Sequence, residues 1–196
     1  KPIIKRGSRT YVLDAVIYNR DELLERLHDG DGSISDEELL ADYIEAFGPG
    51  QLKCVNGDFA GIIYDSDSKD IVLFRDHMGV RPLYYYADMD VLAFSTDIRG
   101  ILSLDFVDTG VSERWISGLI KGYGTTSLTD TEYENIYCVK PGSYRRYSTA
   151  GHIGLISELT YWMPGSHKTR CRSRAEYQKK LRELVTDSVR RRLSVT

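Results

Sequence analysis

Between residues 56 and 99 the chain alternates four short apolar runs with polar breaks: NGDFAGIIYDSDSKDIVLFRDHMGVRPLYYYADMDVLAFSTDIR. Residues 59–64 and 71–74 are rich in aromatic and β-branched side chains, and the stretch between them is Asp, Ser and Lys. A loop over 75–82 carries Arg75, Asp76, His77, Gly79 and Arg81. Residues 83–87 and 91–95 then repeat the apolar pairing around a short acidic turn. Such runs are too short for helices and are bounded by turn formers. They predict two antiparallel hairpins joined by a polar loop, with a short helix over 97–102 after them. Phe59, Ile62, Leu73, Leu83 and Phe94 are the expected core positions.

The flanking segments supply helices for this sheet to pack on. Residues 10–18, TYVLDAVIY, read as a strand that is apolar except at Asp14. Asn19 is expected to cap a helix over 21–27, with Glu22 three residues on and Leu23, Leu24 and Leu27 on its inner face, and residues 28–33 are a loop. Ser35 and Glu38 have capping-box spacing, which starts a second helix with Leu39, Leu40, Tyr43, Ile44 and Phe47 on one side. Gly48-Pro49-Gly50 ends it. Ser112 is expected to cap a helix that buries Trp115, Ile116, Leu119 and Ile120 and stops at Gly122, before Tyr123-Gly124. Residues 137–147 read as strand, Pro-Gly turn, strand. Ser173 opens a long amphipathic helix with Tyr177, Leu181, Leu184, Val185, Val189 and Leu193 on its stripe. That helix belongs to a core, either folded back on the first domain or in a further one. The regular pattern breaks between 161 and 173, so the expected organisation is a first domain over 1–162 and, over 163–196, a linker and the first helix of a truncated second domain.

Bulk properties narrow the function classes. A net charge of −3 over 196 residues argues against a nucleic-acid or anionic-membrane partner. No apolar stretch approaches the roughly 20 residues of a membrane span, and KPIIKRGSRT has no apolar core of signal length. A soluble, cytoplasmic protein is expected. Cys54, Cys138 and Cys171 are widely spaced and read as reduced thiols. His28, His77, His152 and His167 show no metal-ligand spacing, and no G-x-G-x-x-G or P-loop is present. No metal and no cofactor is therefore expected in this chain. Arg75 and Asp76, between apolar strands, read as turn-fixing groups.

The ordered motifs resemble the glutaminase domain of the asparagine synthetase family, a class II glutamine amidotransferase domain. Asn56-Gly57-Asp58-Phe59-Ala60 is similar to its N-G-x-F-A entry. Arg75-Asp76-His77-Met78-Gly79-Val80-Arg81-Pro82-Leu83-Tyr84-Tyr85 is similar to A-R-D-x-x-G-x-K-P-L-Y-Y, and residues 94–99 stand where F-A-S-E-I-K stands. Ile17-Tyr18-Asn19, Ser35-Asp36-Glu37-Glu38, Lys140-Pro141-Gly142-Ser143-Tyr144 and Tyr161-Trp162 match further motifs in order, and the final helix resembles the first helix of the synthetase domain. The resemblance, which includes degenerate relatives such as β-lactam synthetase and lasso-peptide cyclase, implies an α+β fold. It is a four-layer αββα sandwich of the Ntn-hydrolase type (N-terminal nucleophile), with the C-terminal helix belonging to the start of a second domain.

The same resemblance fixes what glutamine hydrolysis would need. The family uses an N-terminal Cys as nucleophile, whereas this chain starts with Lys1, and the family's early-loop Arg for the substrate carboxylate has no counterpart. The family's N-G-E triplet supplies oxyanion donors and a glutamine contact; here it reads Asp14-Ala15-Val16. Replacing a donor amide by a carboxylate puts negative charge where negative charge develops. Asp36, matching the residue for the glutamine α-ammonium, is retained, although an acid in a helix first turn also suits the dipole. Asp36, Asp14 and Ala15 are thus the substrate-binding candidates, and no catalytic residue is assigned. ATP and Mg²⁺ are expected for the missing synthetase domain, and the phosphate loop S-G-G-x-D-S has no match here, so this chain alone should not bind ATP. The expected partners are a synthetase domain in cis and, for the full-length protein, glutamine or an amine substrate. A homodimer is expected on the ground that no strand precedes the one at Tyr11 and a sheet edge is left open. The function implied is the N-terminal domain of an ATP-dependent amide-forming protein without its own glutaminase activity. The alternatives are an active glutaminase lacking its Cys segment or a domain of another class II enzyme.

Overall fold

A computed structural model of the chain describes residues 3–28, 33–122, 127–165 and 170–193. His167, Tyr123 and Gly124 lie outside the described residues, as does most of the loop over 28–33. Nine strands and five α-helices follow one another among the described residues. They are β1 (Ile3–Arg6), β2 (Arg9–Ile17), α1 (Arg20–Leu27), α2 (Asp36–Phe47), β3 (Gly57–Asp65), β4 (Asp70–Arg75), β5 (Tyr84–Ala87), β6 (Leu92–Ser95), α3 (Ile98–Leu102), α4 (Glu113–Ile120), β7 (Ile136–Cys138), β8 (Ser143–Ser148), β9 (Gly154–Thr160) and α5 (Arg174–Leu193). A 3₁₀ segment, Pro49–Cys54, links α2 to β3.

The strands form two antiparallel sheets, one of order β1-β2-β3-β4-β8-β9 and one of order β6-β5-β7. Strand alternation sorts the apolar residues into layers. Tyr11, Leu13, Ala15 and Ile17 of β2 and Phe59 and Ile63 of β3 pack on Leu39, Leu40, Tyr43 and Ile44 of α2 and Leu23 of α1. The intervening Ala60 and Ile62, with Leu73 and Tyr147, face the second sheet and meet Leu83, Tyr85 and Val139. On the far side Tyr84 and Tyr86 of β5 lie against Ile98, Ile101 and Leu102 of α3. Helices, sheet, sheet and helix stack in that order, the αββα sandwich of the Ntn-hydrolase type. The capping box at Ser35 and Glu38 is present, with Ser35 Oγ accepting from the Glu38 N–H at 3.2 Å and Glu38 Oε2 from the Ser35 N–H at 3.0 Å. Asn19 instead spends its amide on the Cys54 carbonyl (3.1 Å) and Glu22 (3.0 Å), tying α1 to the segment before β3.

Several sequence expectations are corrected. The edge beside β2 is not open: β1 pairs along it, Ile3 opposite Val12 through Arg6 opposite Arg9. Gly7, at φ +55, turns the chain in two residues. The argument for a dimer from that edge therefore falls. Phe94 is 38% exposed because it stands on β6, the edge strand of the small sheet. The Pro141-Gly142 turn does not close a hairpin: β7 pairs with β5 and β8 with β4, so the turn carries the chain from one sheet to the other. The last strand of the large sheet is β9, ahead of Tyr161-Trp162. Ser112 does cap α4, but α4 buries no residue, and Leu119 and Ile120 are 57% and 80% exposed. α5 likewise buries none of its stripe. It touches α1 and β3 near its C-terminal end, where Arg191 pairs with Glu22 at 3.5 Å and Arg192 with Asp58 at 3.6 Å.

Candidate functional site: the open end of β2 and the loop at Asp76

The loop between β4 and β5 is held by two charged residues working inward. Asp76, 1% exposed, accepts the N–H groups of Met78 and Val80 on Oδ1, both at 3.0 Å, and that of Arg81 on Oδ2 at 2.9 Å. Its own N–H donates to the Phe59 carbonyl at 2.7 Å, and its carbonyl accepts from Gly142 at 2.8 Å. Arg75 donates from Nε to the Arg81 carbonyl (2.7 Å) and from its terminal nitrogens to the Gly79 (2.5 Å) and Val139 (3.0 Å) carbonyls. The loop is thus built like a closed turn around a carboxylate and a guanidinium, which bears out the turn-fixing reading of this pair. Gly79 sits at φ +68, and a Cβ there would come within 2.8 Å of the Arg75 guanidinium carbon and of Pro141.

That rigid loop presents Arg81 to β2. Since Leu13, Ala15 and Ile17 face the helices, Asp14 and Val16 face the opposite way, toward the second sheet's side. Arg81 Nη1 lies 3.7 Å from Asp14 Oδ2. Val16 stands opposite Asp58 on β3. Asp58 accepts from the Tyr18 hydroxyl at 2.6 Å, and Arg192 stacks over the Tyr18 ring at 4.7 Å. Burial, with Asp58 beside it, pushes the Tyr18 phenol up. The open end of β2 is therefore a charged cluster of two carboxylates, two guanidiniums and a phenol.

The three sequence-derived candidates do not converge. Asp14 faces this cluster. Ala15 points the other way into the helix-side core, 6% exposed, and brings no side chain to the site. Asp36 accepts the Ile17 N–H at 2.8 Å on one oxygen and the Arg20 guanidinium on the other. Its carboxylate ties α2 to the end of β2. Sequence reading passed over Arg81, Tyr18, Asp58 and Arg192 as site residues. Tyr18 and Asp58 were within reach of strand alternation, because Asp14, Val16 and Tyr18 share a face and Asp58 follows from the cross-strand register, whereas Arg81 is placed by the loop that Asp76 and Arg75 fix. Arg192 arrives from distant sequence and carried no local signal.

Cys138 is buried, takes a contact from Arg75 Nη1 at 3.0 Å, and has its thiol pushed up by burial. Cys54 lines a cavity of about 290 Å³ with Asn56, His77 and Trp162, and this cavity shares Asp58 and Arg192 with the cluster. Among the described residues no group of three His, Cys, Asp or Glu is placed to hold a metal ion, and no helix is long and apolar enough to cross a membrane.

His77 walls that cavity, edge-on to Trp162 (centroids 5.0 Å apart) and Tyr161 (5.6 Å). Burial lowers its pKa from the ordinary 6.5, against smaller opposing effects of the Lys53 carbonyl and Asp76. A base whose folded pKa is depressed is protonated more readily when unfolded. Its contribution to stability is full above the unfolded value and is lost as pH falls through the folded one. Urea midpoints should therefore drop from pH 7 to pH 5, and His77→Phe should shrink the drop. An unchanged drop would place the acid sensitivity elsewhere.

Residues 1–162 match the family described as the glutamine amidotransferase domain. The chain belongs to that family, in its class II branch related to the asparagine synthetases. It is 27% identical over 197 residues to "Asparagine synthetase [glutamine-hydrolyzing] 3" of Bacillus subtilis, covering 96% of this chain and 30% of that protein. It is 35% identical over 92 residues to "Carboxyethyl-arginine beta-lactam-synthase" of Streptomyces clavuligerus, covering 47% of this chain and 18% of the relative. A 25% identical relative over 161 residues, 81% of this chain and 23% of its own length, is "Amidase chry2" of Gibberella zeae. The chain thus spans less than a third of these relatives. Among solved structures, the glutamine phosphoribosylpyrophosphate amidotransferase of B. subtilis shares the fold, with a TM-score of 0.50 at 17% identity over 82% of this chain and 31% of that one.

Proposed function

We propose that residues 1–162 are the amidotransferase-like N-terminal domain of an ATP-dependent, amide-forming cytoplasmic protein of the asparagine synthetase lineage, and that as given it does not hydrolyse glutamine. The linker and α5 would lead into a synthetase domain in cis, which would use ATP and Mg²⁺ while this domain packs on and positions it. The observation that carries the reading is Asp14 facing the charged cluster at the end of β2, at the position where the family's asparagine would donate to a developing oxyanion. A carboxyl side chain there, 3.7 Å from Arg81, has no amide N–H to offer an oxyanion. Loss of one oxyanion donor costs on the order of 100–1000-fold in rate, and a fixed negative charge adds to that cost. The similarity to a β-lactam synthase supports the amide-forming side of the reading.

A second reading, an active glutaminase whose Cys lies upstream, is favoured by the glutamine-hydrolysing relatives. Intact-mass measurement after exposure to a glutamine-mimicking electrophile separates the two. The unmodified chain should form no adduct, and neither should Asp14→Asn/Ala15→Gly/Val16→Glu, since the nucleophile carries the covalent step. In a longer protein with an upstream Cys, labelling should stay slow until the triplet is restored. Fast labelling with Asp14-Ala15-Val16 in place would favour the second reading.

A further inference from the structure

The Arg81 guanidinium is held but not used. Its backbone is fixed on both sides, the N–H by Asp76 and the carbonyl by Arg75, so its Cα has one position. The side chain, 37% exposed, reaches the open end of β2. A guanidinium carries five N–H donors, yet among the described residues Arg81 makes no side-chain hydrogen bond. Its one ion pair, to Asp14, is 3.7 Å long, outside hydrogen-bond reach, and its Nε is buried without a partner. Buried donors are nearly always satisfied, and leaving one unmet is costly. The other charged groups around it are balanced: Asp58 is engaged by Tyr18 and Arg192. The unsatisfied group is therefore a planar donor on a rigid loop, part-exposed beside Asp14 at the end of β2, with its Nε buried.

A carboxylate matches the outer edge of that guanidinium, because its two oxygens take parallel N–H bonds from the two terminal nitrogens, the buried Nε being out of a ligand's reach. We infer that Arg81 is a receptor for the carboxylate of a small-molecule ligand, and that Asp14 is its internal competitor. The inference rests on the reading above, in which this end of β2 no longer serves an oxyanion. Asp14 sets the affinity: it neutralises Arg81 and repels an arriving anion, so the wild-type site is weak. With Asp14 neutral, the same guanidinium meets an arriving anion unopposed.

The test follows the arginine Nε–H resonances of ¹⁵N-labelled protein while sodium acetate is added, with sodium chloride at matched ionic strength as the control. Wild type should show a saturable acetate-specific shift of the Arg81 resonance at high concentration. Asp14→Asn should bind about ten-fold tighter, from removal of one nearby, partly screened charge. Asp14→Asn/Arg81→Lys should lose most of the gain, since an ammonium lacks the fork, and unchanged thermal melting of both variants shows that the fold is kept. An Asp14→Asn protein that binds no tighter, or a shift that chloride reproduces, overturns the inference. Neither result bears on glutamine hydrolysis, and ammonia release by the chain would overturn the proposed function without moving the Arg81 shift.

Discussion

Asp76→Ala should lower the unfolding free energy by about 3–5 kcal/mol, measured by urea denaturation at pH 7. The carboxylate accepts three backbone N–H groups, from Met78, Val80 and Arg81, and Asp76 is 1% exposed. Truncation leaves those donors facing a small void, and each unmet buried donor costs about 1–3 kcal/mol. The loss should not stay local. The same residue's main chain joins Phe59 to Gly142, linking β3, the loop and the crossover into β8. Asp76→Asn keeps the shape and part of the accepting capacity, so it should cost about half as much. A loss below about 1 kcal/mol for Asp76→Ala would mean that the loop's fold is set elsewhere.

Gly142→Ala should be nearly as severe, at about 2–4 kcal/mol. Gly142 adopts φ +64, which strains an L side chain, and a Cβ there would collide with the Trp162 carbonyl oxygen. The glycine carbonyl also accepts from the Tyr161 and Trp162 N–H groups, at 2.8 and 3.0 Å, so the closing segment is pinned on this residue. Tryptophan fluorescence should change together with stability. Gly154→Ala, where an added Cβ meets nothing within 4 Å, is the control and should change stability by less than about 0.5 kcal/mol. Equal effects at the two positions would contradict the steric argument.

These positions also mark where sequence was readable. The hairpins were legible because short aromatic and β-branched runs at 59–64 and 71–74 stand between turn formers, and α2 because its capping box precedes an apolar face. β1 escaped because IIKR is four residues long, with Ile3 66% exposed and only Ile4 buried. The stripes of α4 and α5 were read as core because periodicity reports amphipathicity, not what covers the face. The Pro-Gly turn was read as a hairpin because a local signal cannot say which sheet the next strand joins; that is decided by the long-range anchoring of Gly142 on Asp76. At the site, Asp14 was legible from alternation and from the family triplet. Arg81 was not, because its meaning depends on the loop that Asp76 and Arg75 fix. Asp36 was legible as a residue, while its bonds to Ile17 and Arg20 were not.

Release of ammonia from L-glutamine is the most direct measurement of the central claim. It should be made on this chain at pH 7–8, with Asp14→Asn/Ala15→Gly/Val16→Glu alongside. The expected result is background hydrolysis for both: the unmodified chain presents Asp14 in place of a donor, and the variant, which restores the donor, gains no nucleophile. Turnover by the unmodified chain would contradict the account and assign catalysis to a group outside the cluster at Asp14, Arg81 and Asp58.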